Sequence, residues 1–233
     1  MESFSQFGED RIIFEYFSSM SITKGFFLEI GANHPTKLSQ TWLLEKKGWT
    51  GILIEPLPHL AALLKEQRKN SLVFESAVSS SDKTGYAYLL IKDDQCESEL
   101  VFDKPIDDNS YKIVQVRTIN DILIEAEWNR IDFLSIDIEG MEIPALQAFD
   151  FQKYQPKMIL IEDHCHNLKK HRFLKAEGYK IVNRCGCNNW YIPKQMRYSG
   201  EKTVSQYEII RKIYLGLPFR MIKQWLKAKR LIN

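Results

Sequence analysis

The chain is short of several things, and each shortage excludes a class of protein. Its 233 residues include only 11 glycines, 8 prolines and 4 cysteines. So little glycine and proline rules out collagen and low-complexity disorder. Cys96, Cys165, Cys185 and Cys187 lack the spacing of a disulfide framework, so reduced cysteines are expected. No stretch reaches the roughly 18 consecutive apolar residues of a membrane-spanning helix. The opening Met1-Glu2-Ser3-Phe4-Ser5-Gln6 has neither a basic nor an apolar signal region, and no signal peptide is expected. Residues 211–233 carry seven basic side chains and no acidic one. Against a net charge of +2, that leaves −5 on the rest of the chain, so the two parts are expected to do different work.

What is present suits one soluble core. Hydrophobic residues make up 44% of the chain, enough to bury a core without staples. Short apolar runs at 25–30, 51–55 and 71–78 alternate with helical patterns at 39–47 and 60–69. The rhythm resumes with a strand at 114–116, a helix at 118–126 with Thr118 as N-cap, and a strand at 131–136. A helix at 142–149 follows, with Pro144 tolerated in its first turn, then a strand at 157–161 and a helix at 169–177 stopped by Gly178. Residues 179–183 and 189–192 read as a closing hairpin, and 80–110 as an irregular flap. Strands alternating with helices predict an α/β fold on a mostly parallel sheet, in a domain of residues 1–195 with a helical extension at 196–233.

In such sheets ligands bind beyond the carboxyl ends of the strands. Here those ends carry Glu29-Ile30-Gly31-Ala32-Asn33, Glu55, Asp137-Ile138-Glu139-Gly140 and Glu162-Asp163-His164. Acids also favour loops and helix N-termini for their own sake, but carboxylates at four strand ends point to a site. A dinucleotide fingerprint needs three glycines to approach a pyrophosphate. Only Gly31 is present, with Asn33 and Thr36 in the later places. A single glycine and a second-strand acid suit a nucleoside without a phosphate chain, the pattern expected for S-adenosylmethionine.

Five stretches in order then resemble the FkbM-type S-adenosylmethionine-dependent methyltransferases, over most of residues 4–193. They are Ser5-Gln6-Phe7-Gly8-Glu9-Asp10, Phe27-Leu28-Glu29-Ile30-Gly31-Ala32-Asn33-His34-Pro35, Gly48-Trp49-Thr50-Gly51-Ile52-Leu53-Ile54-Glu55-Pro56, Val116-Arg117-Thr118-Ile119-Asn120-Asp121, and Leu134-Ser135-Ile136-Asp137-Ile138-Glu139-Gly140-Met141-Glu142. Glu29 stands where the family usually has Asp, and His34 departs from its acid or glycine. The resemblance implies a Rossmann-like class I methyltransferase fold with an antiparallel closing hairpin, acting on an oxygen, commonly a sugar hydroxyl of a polysaccharide, its precursor or a glycosylated metabolite. It implies Glu29, Gly31 and Asn33 around the methionine moiety, Glu55 on the ribose, Ser76 and Ala77 near the adenine, and Gln6 and Asp10 closing over the cofactor.

A sugar hydroxyl needs a base or a metal to become a nucleophile. By analogy with related sugar methyltransferases, Asp137, Glu162 and Asp163 would hold Mg²⁺ or Mn²⁺, with Glu139 as base and His164 beside them. The plain alternative makes Glu139 a helix cap and His164 a loop residue. His164, Cys165, His166, Cys185 and Cys187 offer a weaker zinc reading, since structural zinc pairs are usually two to four residues apart. His59 and His171 read as surface residues. A nicotinamide-dependent oxidoreductase and a non-catalytic membrane-associated module are the competing functions.

The tail adds a helix starting at Pro218, with Arg220, Lys223, Lys227 and Arg230 on one face and Phe219, Ile222, Trp225 and Leu226 on another. Such a helix suits a membrane surface, a protein partner or the body of the chain itself. Nucleic acid is not expected, a homo-oligomer stays open, and the expected location is cytoplasmic, at the inner face of the membrane if the tail binds lipid.

Overall fold

The computed structural model describes residues 2–91, 98–104 and 111–228. In chain order the first half runs α1 (Glu9–Ser19), β1 (Phe26–Ile30), α2 (Trp42–Lys46), β2 (Thr50–Ile54), α3 (Pro58–Gln67), β3 (Ser71–Phe74), β4 (Ala77–Val78), β5 (Gly85–Ile91), β6 (Ser98–Val101) and β7 (Tyr111–Arg117). The second half runs α4 (Ile119–Glu125), β8 (Phe133–Ile136), α5 (Glu142–Gln147), α6 (Phe151–Tyr154), β9 (Met158–Glu162), α7 (Lys169–Ala176), β10 (Tyr179–Cys185), β11 (Asn188–Pro193), α8 (Gln206–Ile210), a π-helical turn (Arg211–Leu215) and α9 (Leu217–Ala228).

A seven-stranded sheet in the order β3-β2-β1-β8-β9-β11-β10 forms the centre. Its first five strands are parallel, and β11 enters antiparallel between β9 and β10. The chain therefore has the Rossmann-like methyltransferase fold with the expected closing hairpin. Order reverses at β1, so the ends of β1, β2, β8 and β9 share the face where such sheets bind ligands.

Alternation along each strand divides the core between two faces. Leu28 and Ile30 of β1 join Ile52, Ile54, Leu134 and Ile136 against α4 and α5. Phe27, Leu53 and Phe133 face the other way, against Ile12, Ile13, Tyr16 and Phe17 of α1 and against Leu44 of α2. Helix α1 has the spacing of an amphipathic helix and was not anticipated. Thr118 caps α4 as expected, its hydroxyl accepting the Asp121 N–H at 3.0 Å.

Two expectations need correction. The strand expected over 71–78 breaks at Glu75-Ser76, and Ala77-Val78 leaves for a second sheet, β4-β7-β5-β6. The flap expected over 80–110 contains two of that sheet's strands, with β5 antiparallel to both β6 and β7. Ala87, Leu89, Val114 and Val116 alternate inward onto Leu57 and Leu60, which gives this sheet its own small core. Residues 92–97, with Cys96, and 105–110 of the flap lie outside the described residues, as do Lys229, Arg230 and the Lys227 side chain of the tail.

Candidate active site at the strand ends

The turn after β1 is shaped by close backbone contact. Gly31 has φ +81°, and a Cβ there would lie 2.0 Å from the Asp137 carbonyl oxygen at the end of β8. Only glycine fits. Asn33 follows at φ 49°, in the left-handed region that asparagine enters more readily than most residues with a side chain. The Asn33 N–H donates to Glu55 Oε2 and the Leu57 N–H to Oε1, each at 2.9 Å. Burial raises the Glu55 pKa, and these two donors pull it back. Each carboxylate oxygen keeps a lone pair for a further donor. No helix starts at this turn: α2 begins at Trp42, so the helix N-terminus that holds a pyrophosphate is absent here.

Opposite this turn lies a well of negative charge. One carboxylate oxygen from each of Asp137, Glu139 and Glu162 falls within 4.8 Å of the other two, the arrangement of a metal-ligand set. Glu139 has φ 47° and Gly140 φ 96°, so the turn after β8 is held in a left-handed conformation. Strain of this kind gathers at functional sites. Asp137 is open to solvent, yet enough protein surrounds its carboxylate to disfavour the charge. Its pKa is pushed up to about 8, first by burial and then by Glu162, Glu139 and Glu142, with Lys170 opposing. Lys170 is the counter-charge, with Nζ 2.9 Å from Glu142 Oε2 and 2.6 Å from the Glu162 carbonyl oxygen. His164 Nε2 lies 3.1 Å from Glu162 Oε1, and the imidazole is largely exposed.

The model of the FkbM methyltransferase domain matches residues 29–186, more than half of the chain. This chain belongs to that family. It is an S-adenosylmethionine-dependent methyltransferase, and the oxidoreductase alternative falls away. The match begins at Glu29, so it takes in four of the five resembling stretches in whole or in part and leaves out Ser5–Asp10. Among solved structures the chain is similar to a TehB-like S-adenosylmethionine-dependent methyltransferase from Corynebacterium glutamicum, at 13% identity and TM-score 0.41, covering 81% of this chain and 89% of that one. It is also similar to the fibrillarin pre-rRNA processing protein of Methanococcus jannaschii, at 14% identity and TM-score 0.41, covering 75% and 68%. Likeness at that level carries no argument, and the assignment rests on the family match. No curated protein matches the chain.

Within this FkbM methyltransferase the expected cofactor residues separate into those at the cleft and those that support it. Gly31, Asn33 and Glu55 stand at the cleft. Glu29 does not, because alternation puts it on the Phe27 side of the sheet. There it accepts from Thr41 Oγ1 at 2.5 Å, the Gln40 N–H at 3.1 Å and Ser39 Oγ at 3.5 Å. Burial raises its pKa, and Arg68 beneath it works the other way. Arg68, missed in the sequence, is 1% exposed and also donates to Glu45 Oε2 at 2.6 Å, to Thr41 Oγ1 at 2.8 Å and to the Pro35 carbonyl at 3.0 Å. Glu29 and Arg68 thus fix the loop of residues 35–41.

Asp10 likewise serves its own segment, accepting from Ser3 Oγ, the Phe4 N–H, Ser5 Oγ and the Arg11 N–H. Gln6 is exposed. The neighbour that reaches inward is Glu9, fully buried, which accepts from Gln40 Nε2 and Asn188 Nδ2, each at 2.9 Å. Its place in Ser5–Asp10 was the available signal. Ser76 Oγ turns to the Ala77 and Gln115 carbonyls, and the Ser76 N–H donates to the Glu55 carbonyl, so Ser76 and Ala77 continue the wall that Glu55 begins.

Asp163 departs from the expected metal set. It accepts from the Cys165 N–H at 2.7 Å and Asn189 Nδ2 at 3.0 Å, so Glu139 and not Asp163 completes the acidic triad. Among the described residues the histidines and cysteines form no such set, and Cys165 is a buried member of a small apolar cluster. His171 is buried rather than on the surface, its ring nitrogens 3.1 Å from Tyr191 Oη and 2.8 Å from Tyr214 Oη. A cavity of about 650 Å³ lies between β10 and α8, away from the strand ends and lined by none of the site's carboxylates.

The cleft fits the cofactor in its donor and acceptor chemistry. Glu55 is a buried carboxylate suited to a diol, and the side-chain oxygens of Gln40 and Asn188 are buried without a protein donor. Both amides flank Glu9.

Proposed function

We propose that this FkbM methyltransferase methylates an oxygen, a sugar hydroxyl of a cell-surface polysaccharide, its precursor or a glycosylated metabolite, at an acidic site that takes Mg²⁺ or Mn²⁺. The observation that carries the reading is the convergence of Asp137, Glu139 and Glu162 beside the Gly31 turn. Carboxylate oxygens are the ligands that hard divalent ions prefer. Such an ion supplies the charge that makes a bound hydroxyl acidic. An aliphatic hydroxyl needs that help near neutral pH, whereas an amine or thiol does not, so the site favours an alcohol.

In this reading Glu55 accepts the ribose hydroxyls, and the Gln40 and Asn188 oxygens accept from the ammonium end of the methionine moiety. Glu139 serves as a ligand rather than as a lone base. His164, held by Glu162 and open to solvent, receives the hydroxyl proton and passes it to water. Holding both reactants in line contributes much of the rate.

The test is turnover of labelled S-adenosylmethionine with nucleotide sugars and glycans, with amines and thiols as controls. EDTA should abolish methylation of the sugar, and Mg²⁺ or Mn²⁺ should restore it. Asp137→Asn and Glu139→Gln should each lower turnover by about 10²–10⁴-fold while S-adenosylhomocysteine still binds. Full activity in chelator would remove the metal and return Glu139 to the role of base.

A further inference from the structure

The tail is built inside out. Ile209 and Ile213 are buried with Cys165 and anchor α8 and the π-helical turn to the body. Beyond them the apolar residues face outward. On a wheel of 3.6 residues per turn, Phe219, Met221, Ile222 and Trp225 share one face of α9 and Arg220 lies on the other. Phe219 is 75% exposed, and Met221, Ile222 and Trp225 are each more than half exposed. It is the arginine that turns to the protein: Arg220 Nε donates to the Cys165 carbonyl at 2.7 Å, and its guanidinium also reaches the Lys212 carbonyl. A helix packed on its own body would place these faces the other way round. Leu215 and Ile210 extend the exposed apolar surface onto the preceding turns. Contiguous apolar patches of this kind mark interaction sites.

Charge decides what covers the patch. Arg211, Lys212 and Lys223 are exposed around it, and no carboxylate occurs from residue 211 onward. An apolar face bearing Trp225 and rimmed mainly by cations, with Glu208 beside Arg211 on the preceding helix, is complementary to a bilayer that has anionic headgroups. We propose that α9 and the turn before it form a docking surface for an anionic membrane, lying in the interface rather than crossing it. Among the described residues no helix is long and apolar enough to cross. The Arg220 tether joins the docked helix to Cys165, three residues beyond Glu162, so docking holds the end of β9 at the membrane.

The experiment is co-sedimentation of the full chain with vesicles of phosphatidylcholine alone or mixed with phosphatidylglycerol. It requires no methyl acceptor and therefore stands apart from the proposed reaction. Binding is expected to the mixed vesicles, to fall with salt, and to weaken about five-fold for each of Lys212 and Lys223 changed to Gln. Phe219→Glu with Ile222→Glu should abolish it and leave the melting temperature and S-adenosylhomocysteine binding unchanged. Equal binding to both vesicle types, or binding indifferent to the Glu substitutions, overturns the proposal. So does a full-length dimer that those substitutions split and that ignores vesicles, since a second copy would then cover the face.

Discussion

Arg68→Met tests whether the loop beside the cofactor cleft is held by a buried charge network. The guanidinium lies between Glu29 and Glu45, 3.9 and 2.6 Å away, and all three side chains are almost wholly buried. Methionine keeps most of the volume, so little of the effect comes from a cavity. Removing one partner of a buried ionic group while the others remain costs about 3–5 kcal/mol. For a chain of this length that corresponds to a fall in Tm of about 6–20 °C. The pH dependence carries more information. Burial already raises the folded-state pKa of Glu29 above its ordinary value while Arg68 opposes the rise, so its contribution is present in acid and lost as pH climbs through that raised pKa. Without Arg68 the pKa rises further, and the variant's deficit should be larger at pH 8 than at pH 5. Thermal melts at both pH values measure this, and Glu45→Gln in the Arg68→Met background should recover part of the loss. A fall of less than about 3 °C that is the same at both pH values would refute the reasoning. S-adenosylhomocysteine affinity should drop alongside, because residues 35–41 lose their anchor.

Gly31→Ala should abolish S-adenosylhomocysteine binding, measured by calorimetry, because its Cβ would meet the Asp137 carbonyl at 2.0 Å in a backbone conformation that alanine rarely adopts; wild-type affinity would contradict the packing. Since Asp137 must lose a proton held up to about pH 8, apparent Mn²⁺ affinity should climb by up to about tenfold per pH unit below that value and level off above it. A flat profile between pH 6 and 8 would count against Asp137 as a ligand. Cys185 and Cys187 are pushed up to about 11, chiefly by burial, so both should react far more slowly with a disulfide reagent at neutral pH than in the unfolded chain. Rapid labelling of either would show that the hairpin turn opens.

The strands of the main sheet were legible along the chain because buried parallel strands are short apolar runs; their order in the sheet came from the structure. The second sheet was hidden because Gly85–Ile91 alternates only over part of its length and Ala77–Val78 is only two residues long. Site residues were legible as a group at the strand ends, but not in their directions. Period-2 alternation places Glu29 with Phe27 and away from the cleft, a conclusion available from five residues once the buried faces are known. Glu139 rather than Asp163 joins Asp137 and Glu162 where the turn after β8 takes left-handed backbone, which residue identity does not announce. Arg68 reads as the polar end of an amphipathic helix, and only tertiary contact turns it into a buried hub.

The contact between Gly31 and Asp137 makes two sites into one mechanical part. The turn that receives the cofactor and the turn that begins the acidic triad touch through backbone, with the Asp137 N–H also donating to the Ile30 carbonyl at 3.1 Å. A shift of one turn would press on the other, so a ligand that moved either would change the free energy of occupying its neighbour. Linkage makes such coupling reciprocal: if the proposed divalent ion binds at the triad, whatever factor it adds to cofactor affinity the cofactor would return to the ion. The coupling would then be the same whichever of the two binds first.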